Sequence, residues 1–200
     1  LSDLIQNENY SRSTQVYVNA FADIKLWKGL IFRTEYAANF SYSNDYRFTP
    51  SYDYEHFKQQ SSASRSASNG SNWTLKTYFT YNNNFGKHSL SAMLGHEAQE
   101  NQYESLNGSR TNFLFNSVHE LDAGDATTAK AGSSRGSSAI ESYFGRLNYN
   151  FDDRYLLTAT LRADGSSSFA KESRWGWFPS VALAWKINNE AFLKDVEAIN

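Results

Sequence analysis

The sequence predicts an all-β chain, an antiparallel meander of about seven long strands that forms part of a large transmembrane β-barrel. Apolar and polar side chains alternate with period two over stretches of roughly ten residues. Tight turns alternate with long connections along the chain. Aromatic residues make up 16% of the chain while the mean hydropathy is only -0.63, as expected when every second residue of a strand meets lipid and its neighbours meet water.

The strands follow in order. In TQVYVNAFADIKL, Val16, Val18, Ala20, Ala22 and Ile24 share one face, and Gln15, Asn19, Asp23 and Lys25 the other. In LIFRTEYAANFSY, Leu30, Phe32, Tyr36, Ala38, Phe40 and Tyr42 oppose Arg33, Glu35, Asn39 and Ser41. WTLKTYFTYN sets Trp73, Leu75, Phe79 and Tyr81 against Thr74, Lys76, Thr80 and Asn82. SLSAMLGHEAQE sets Leu90, Ala92, Leu94 and Ala98 against Ser89, Ser91, Glu97 and Gln99. A hairpin follows: Tyr143, Leu147, Tyr149 and Phe151 oppose Ser142, Arg146, Asn148 and Asn150, and then Tyr155, Leu157, Ala159, Leu161 and Ala163 oppose Thr158, Thr160, Arg162 and Asp164. A last strand carries Val181, Leu183, Trp185 and Ile187 on one face. Soluble strands average about 5–6 residues, whereas a tilted transmembrane strand needs about 9–11. The one helical stripe is a short one in NEAFLKDVEAI, after Asn188.

Short connections (WKG, NNFGK and the DD turn) alternate with longer ones, from about Asn44 to Ser71, from about Tyr103 to Ile140, and GSSSFAKESR. This asymmetry suits periplasmic turns at one end and extracellular loops at the other. Tyr42, Trp73, Tyr103, Tyr143 and Trp177 then fall near the outer rim, and Trp27, Phe85, Phe151, Tyr155 and Trp185 near the inner one. Amphipathic rings belong at such water–lipid boundaries, which makes Trp27, Trp73, Tyr143, Tyr155, Trp177 and Trp185 the expected interface aromatics. Two residues resist. Pro179 sits on the apolar parity, where a bulge would accommodate its missing donor, and His96 has no account beyond nearness to the outer boundary.

Composition narrows the function classes. A net charge of -2 offers no basic field for nucleic acid. Without Cys there is neither a disulfide framework nor a thiolate metal site. No run of 18 apolar residues exists, so no transmembrane helix is expected, which leaves a barrel open. GSSRG (132–136) fits G-x-S-x-G but lies in a small-residue loop without the strand–turn–helix context of a nucleophile elbow. His56, His88, His96 and His119 lack metal-ligand spacing, DAGD (122–125) lacks the spacing of a calcium loop, and DGSSSF precedes no helix N-terminus. No catalytic residue, metal or cofactor is expected.

Two groups of candidate contact residues remain. Arg33, Glu35, Lys76, Glu97, Arg146 and Arg162 share the polar parity and are expected to face the lumen, because a charge facing lipid at mid-depth costs about 2–4 kcal/mol. There they would pair across strands, hold a plug or meet ligand. Tyr46, Phe48, Tyr52, Tyr54 and Phe57 crowd the first long loop, where aromatic faces suit a ligand or a protein partner.

The stretch SYFGRLNYNFDDRYLLTATLRADGSSSFAKESRWGWFPSVALAWKINNEAFLKD, residues 142–195, resembles the barrel signature of SusC/RagA-type TonB-dependent outer-membrane transporters of Bacteroidota. NAFADIKLWKGLIFRTEYAANFSY resembles a strand pair of the same family. The resemblance implies that residues 1–200 are a partial barrel of roughly 22 strands, without plug, N-terminal domain or C-terminal strands. It implies the cell outer membrane, energy from the TonB complex, a SusD-like lipoprotein partner and uptake of an oligosaccharide or peptide ligand. The rival readings are a passive porin, a soluble β-sandwich carbohydrate-binding module and an enzyme barrel.

Overall fold

The structure, a computed structural model, describes residues 7–54 and 57–193. Among the described residues are nine strands: β1 (Glu8–Trp27), β2 (Leu30–Thr49), β3 (Tyr52–Tyr54), β4 (Phe57–Gln59), β5 (Ser62–Phe85), β6 (His88–Thr111), β7 (Lys130–Phe151), β8 (Tyr155–Ser166) and β9 (Trp175–Trp185). Seven of them make one sheet in the order β1-β2-β5-β6-β7-β8-β9, and β3 and β4 make a small sheet of their own. Apart from that inserted hairpin, each strand pairs with its neighbour in sequence, the meander that the alternation predicts.

The register shows why period two matters. Tyr143 faces Ala163, which faces Trp177; Leu147 faces Ala159 and then Val181; Phe151 faces Tyr155 and then Trp185. One residue along, Arg146 faces Thr160 and then Ser180, and Ser142 faces Asp164 and then Gly176. Directly opposed residues point to the same side of a sheet, so the apolar residues form one face and the polar residues the other. A slip of one residue would invert every side chain. The same register runs unbroken through Pro179, opposite Leu161, so the expected bulge is absent.

Tight turns close the hairpins at one end. Gly29 takes φ 81°, and a Cβ there would collide with the Asn82 carbonyl oxygen, so the turn requires glycine. Asp152 and Asp153 take φ 55° and 51°, a left-handed region that short Asx side chains tolerate.

The long connections differ from expectation. β2 runs to Thr49, β5 begins at Ser62, β6 ends at Thr111 and β7 begins at Lys130, so most of 44–71 and 103–140 is strand rather than loop. β5 and β6 have 24 residues each, far beyond the roughly 9–11 that a bilayer needs. Ser, Asn, Thr and Gly still form ladders, because pairing uses the backbone. With polar residues on both faces, however, the hydropathic alternation that reveals a strand disappears. GSSRG therefore lies inside β7, where Ser134 Oγ is 2.7 Å from Ser105 Oγ. Tyr103 is a second correction: it has the parity of Glu97, and its ring covers Gly136, where a Cβ would meet it at 2.5 Å, so it belongs to the polar face and not to the outer girdle. The last strand stops at Trp185, and Ile187 opens a short 3-10 turn that ends at Asn189; the remainder of the expected helical stripe from 194 lies outside the described residues.

The chain divides into two compact units. One comprises the described residues of Leu1–Tyr17, Ala38–Asn72 and Asn101–Ser137, and the other those of Val18–Ala37, Trp73–Glu100 and Ser138–Asn200. The first holds a small core of Phe48, Ala63 and Phe113, with Tyr46 and Leu121 packed against it. The Phe48 and Phe113 rings meet edge-on, with centroids 5.4 Å apart. The connection 112–129 is strapped over this core. The Phe113 N–H donates to Ser61 Oγ at 2.8 Å, and Asp125 accepts from the Thr127 N–H at 2.9 Å to cap a 3-10 turn.

Candidate functional site

The second unit presents its apolar face without a packing layer. Leu183 is 79% exposed, Val181 69% and Leu94 67%. In a β-sandwich these side chains would be buried against a second sheet. A bilayer is the other apolar environment able to cover them.

At the tight-turn end of that face the rings form a continuous chain. Phe85 stacks on His88 (5.3 Å), His88 lies against Phe151 (4.9 Å), and Phe151, Tyr155 and Trp185 follow at 6.4 Å steps. Trp27 is exposed on β1. At the other end Tyr143 lies 4.9 Å from His96 and 5.9 Å from Trp175, and Trp177 stands opposite Ala163. His96 is thereby explained: its Nε2 lies 3.1 Å from Glu141 Oε1, which also accepts the Tyr143 hydroxyl at 2.9 Å. Trp73 Nε1 donates to Glu100 at 3.1 Å, so the indole keeps its polar edge satisfied.

Beside the first belt, Glu190 forms a clamp that sequence reasoning missed. Its carboxylate accepts from Trp185 Nε1 (3.0 Å), Tyr155 Oη (2.8 Å) and Arg154 Nη1 (2.7 Å). These donors hold it below the usual carboxylate range, Trp185 most strongly, then Tyr155 and Arg154. Asp152 is lowered chiefly by its hydrogen bond from Lys87, and Asp153 by that from Lys186. The signal lay in the order of WKINNE after the last strand, where a chain reversal returns Glu190 to the strand ends.

The polar face carries a charge ladder. Arg33 Nε lies 2.6 Å from Glu35 and 3.6 Å from Asp23, and Glu35 accepts the Tyr78 hydroxyl at 3.1 Å. Lys76 pairs with Glu97 at 2.9 Å, and Glu97 reaches Arg162 at 3.3 Å across β7. Arg162 also donates to Asp164 (2.7 Å) and to Ser142 Oγ (2.9 Å). Arg146 reaches Asn148 at 3.4 Å. Apart from Arg146, these cations are paired with carboxylates along and across the strands, so this face is close to neutral.

The aromatic candidates of the first unit whose side chains are described take different parts. Phe48 is 1% exposed, and its ring stacks on His119 with centroids 4.1 Å apart, so it is a packing residue and not a contact surface. The Tyr46 ring lies under Arg65, whose guanidinium carbon is 5.1 Å from its centroid. Tyr52 opens the β3–β4 hairpin; the backbones of Tyr54 and Phe57 pair at its tip, while their side chains lie outside the described residues. Polar residues between these rings assemble instead. Asp45 accepts from Ser11 Oγ (2.6 Å) and Ser66 Oγ (3.1 Å), and Arg47 Nε donates to Asn9 at 3.1 Å. The hydroxyls, Ser11 first, keep the Asp45 carboxyl below its ordinary range. The five side chains line a pocket of about 480 Å³ with Ser64 and Asn107. Sequence reading passed over Asp45 and Arg47 because bulky rings flank them on the opposite parity.

Comparison with known proteins matches residues 2–194 to the family described as TonB dependent receptor-like, beta-barrel. TonB-dependent receptor P3 of Formosa agariphila is 38% identical over 132 residues, covering 66% of this chain and 13% of that protein. TonB-dependent receptor SusC of Bacteroides thetaiotaomicron is 39% identical over 129 residues, covering 64% of this chain and 12% of SusC. The RagAB peptide importer in its closed-closed state superposes with a TM-score of 0.86 at 24% identity, over 93% of this chain and 21% of that one, a likeness of fold. The chain thus spans about a fifth or less of the length of these relatives. With the family matched across both units, and with SusC among the relatives at 39% identity, the chain belongs to the TonB-dependent receptor-like β-barrel family of the outer membrane, as a SusC/RagA-type barrel segment.

Proposed function

We propose that this sheet is part of the wall of a transporter that imports a nutrient ligand, an oligosaccharide or a peptide, with energy from the TonB complex and with a SusD-like lipoprotein as partner. The observation that carries the reading is a single-layered sheet with an open apolar face bounded by aromatic belts and an opposite face that carries a neutralised charge ladder. Arg33, Glu35, Lys76, Glu97, Arg146 and Arg162 face the aqueous lumen, and Trp27, Trp73, Tyr143, Tyr155, Trp177 and Trp185 sit at the membrane boundaries. RagAB, which shares this fold, is a peptide importer, which supports the peptide class; the oligosaccharide class rests on the sequence resemblance of residues 142–195.

The ligand meets this segment at the pocket of Asp45 and Arg47 and at the β3–β4 hairpin carrying Tyr52. Asp45 accepts from hydroxyl or amine donors, and Arg47 donates to carbonyl or carboxylate oxygens. The test is uptake by whole cells that carry the full-length gene or lack it, offered oligosaccharide mixtures or peptide mixtures, with and without TonB. Uptake that requires the gene and TonB supports the reading. Uptake that persists without TonB would identify a passive pore instead.

A further inference from the structure

In the first unit the two faces of the sheet have different chemistry. Tyr46, Phe48 and Ala63 turn one way, against Phe113 and Leu121. The residues between them turn the other way and meet across the strands: Asp45 with Ser11 and Ser66, Arg47 with Asn9, and Ser105 with Ser134. A Cβ on Gly132 would lie 3.0 Å from Asn107 Oδ1, and one on Gly136 would lie 2.5 Å from Tyr103 Cε1, so Asn107 and Tyr103 belong to this second face as well. Followed by parity through the parts of β1, β2, β5, β6 and β7 in this unit, the second face carries only Ser, Asn, Thr, Gln, Gly, Asp, Arg, Lys and Tyr. No Ala, Val, Leu, Ile, Met or Phe stands on it among the described residues.

Two rings interrupt this polar surface, Tyr17 and Tyr103, 70% and 53% exposed. The Tyr17 hydroxyl is spent on Gln15, at 2.5 Å. Tyr103 rests the phenolic end of its ring on Gly136, where a side chain would displace it, and leaves the remainder exposed. Ser105 and Asn107 follow it on the same face of β6, and Asn107 lines the pocket of Asp45 and Arg47. Tyr103 and Asn107 are four residues apart, about 13 Å along a strand that rises about 3.3 Å per residue. Ring and pocket are thus spaced for an oligosaccharide rather than for a single sugar.

We propose that this face is a carbohydrate-binding track, in which Tyr103 is the platform for one sugar ring and Asn107, Asp45 and Arg47 hold hydroxyls further along. The track rests on the transporter reading above and narrows its two ligand classes to the oligosaccharide. A sugar ring has an apolar C–H face, which an exposed aromatic face can cover, and a rim of hydroxyls that both donate and accept. The wall answers in kind. The Asn107 amide and the serine hydroxyls donate and accept, Asp45 accepts, and Arg47, whose Nε is used on Asn9, has its two Nη groups left to donate. A peptide of mixed sequence brings apolar side chains, and this face offers no aliphatic surface on which to bury them.

The test is depletion of the medium by whole cells that carry the full-length gene, read by mass spectrometry with and without TonB. The cells are offered a partial hydrolysate of mixed plant and algal polysaccharides or a tryptic digest, at equal low concentration. The wild type is expected to deplete the oligosaccharides, to spare the peptides, and to do so only with TonB. Tyr103→Leu, which removes the aromatic face, should slow depletion about tenfold. Tyr103→Phe, which keeps that face, should stay close to the wild-type rate. Asn107→Ala should slow depletion about fivefold. Gel mobility of the unheated protein checks that the variants are folded, and Asn107→Ala, at an exposed side chain, keeps the test open if Tyr103→Leu is not. Peptides depleted as fast as the oligosaccharides or faster, or oligosaccharide depletion unchanged in Tyr103→Leu and Asn107→Ala, overturns the track and leaves the transporter reading standing. Depletion of neither mixture, or depletion that persists without TonB, overturns the transporter reading itself.

Discussion

Placing an arginine at Leu161 tests the two-faced sheet most directly. Leu161 is on the apolar face, opposite Gly145 and Pro179. It lies six residues beyond Tyr155 of the lower belt. At about 3.3 Å per residue and a tilt near 40°, that is about 15 Å into an apolar band roughly 25 Å tall. An arginine there sits close to the midplane and should cost about 2–4 kcal/mol, or roughly 30- to 900-fold in the folded-to-unfolded ratio. Ser180→Arg is the control. It lies at nearly the same depth on the other face, opposite Thr160, and a surface substitution in water should stay within about 0.5 kcal/mol. Urea titration of the full-length barrel in phospholipid vesicles, read by tryptophan fluorescence, measures both. Equal costs, or a Leu161→Arg cost below about 1 kcal/mol, would refute the assignment of faces.

Gly95→Leu should be destabilising, because a Cβ there already meets Phe144 Cζ at 2.5 Å and Tyr78 Cβ at 2.7 Å; overpacking of this kind costs about 1–3 kcal/mol in the same titration. Phe48→Ala removes the centre of the first unit's small core and should cost about 3–5 kcal/mol locally, seen as faster hydrogen exchange in 112–129 with the barrel still folded. Asp45→Ala with Arg47→Ala should abolish most ligand uptake without changing the amount of protein in the outer membrane; unchanged uptake would remove the pocket from the transport route. The clamp at Asp152, Asp153 and Glu190 should weaken in acid. Their folded pKa values are lowered, so their contribution is complete above the ordinary carboxylate values of 3.8 and 4.5 and is lost as pH falls through the lower folded ones. Limited proteolysis at the tight-turn end should show opening only below about pH 4, and Glu190→Gln should remove part of that dependence.

Much of the second unit was legible in the chain itself. Val181, Leu183 and Trp185 alternate with small or polar residues because one side of their strand meets lipid, and no partner is needed to see it. The paired belts, the tight turns and the shared parity of Arg33, Glu35, Lys76, Glu97 and Arg162 followed from the same rule. Legibility failed where both faces of a strand are wet. The Ser- and Asn-rich stretches near 62–71 and 103–111 read as loops, yet their backbones pair as strands. Aromatic crowding was equally ambiguous: Phe48 signalled a contact surface but fills a core, and Gly136 gave no hint that Tyr103 would lie over it.

By itself the sequence determined which side chains share a face, because a strand's period of two is a local property of an extended backbone. Only the tertiary structure decided which residues meet: Glu97 with Arg162, Asp45 with Ser11 and Ser66, and Glu190 with Arg154. Those meetings depend on strand register and on how far each hairpin extends, and both are set by backbone pairing between residues distant in the chain, which leaves no local trace in either strand alone.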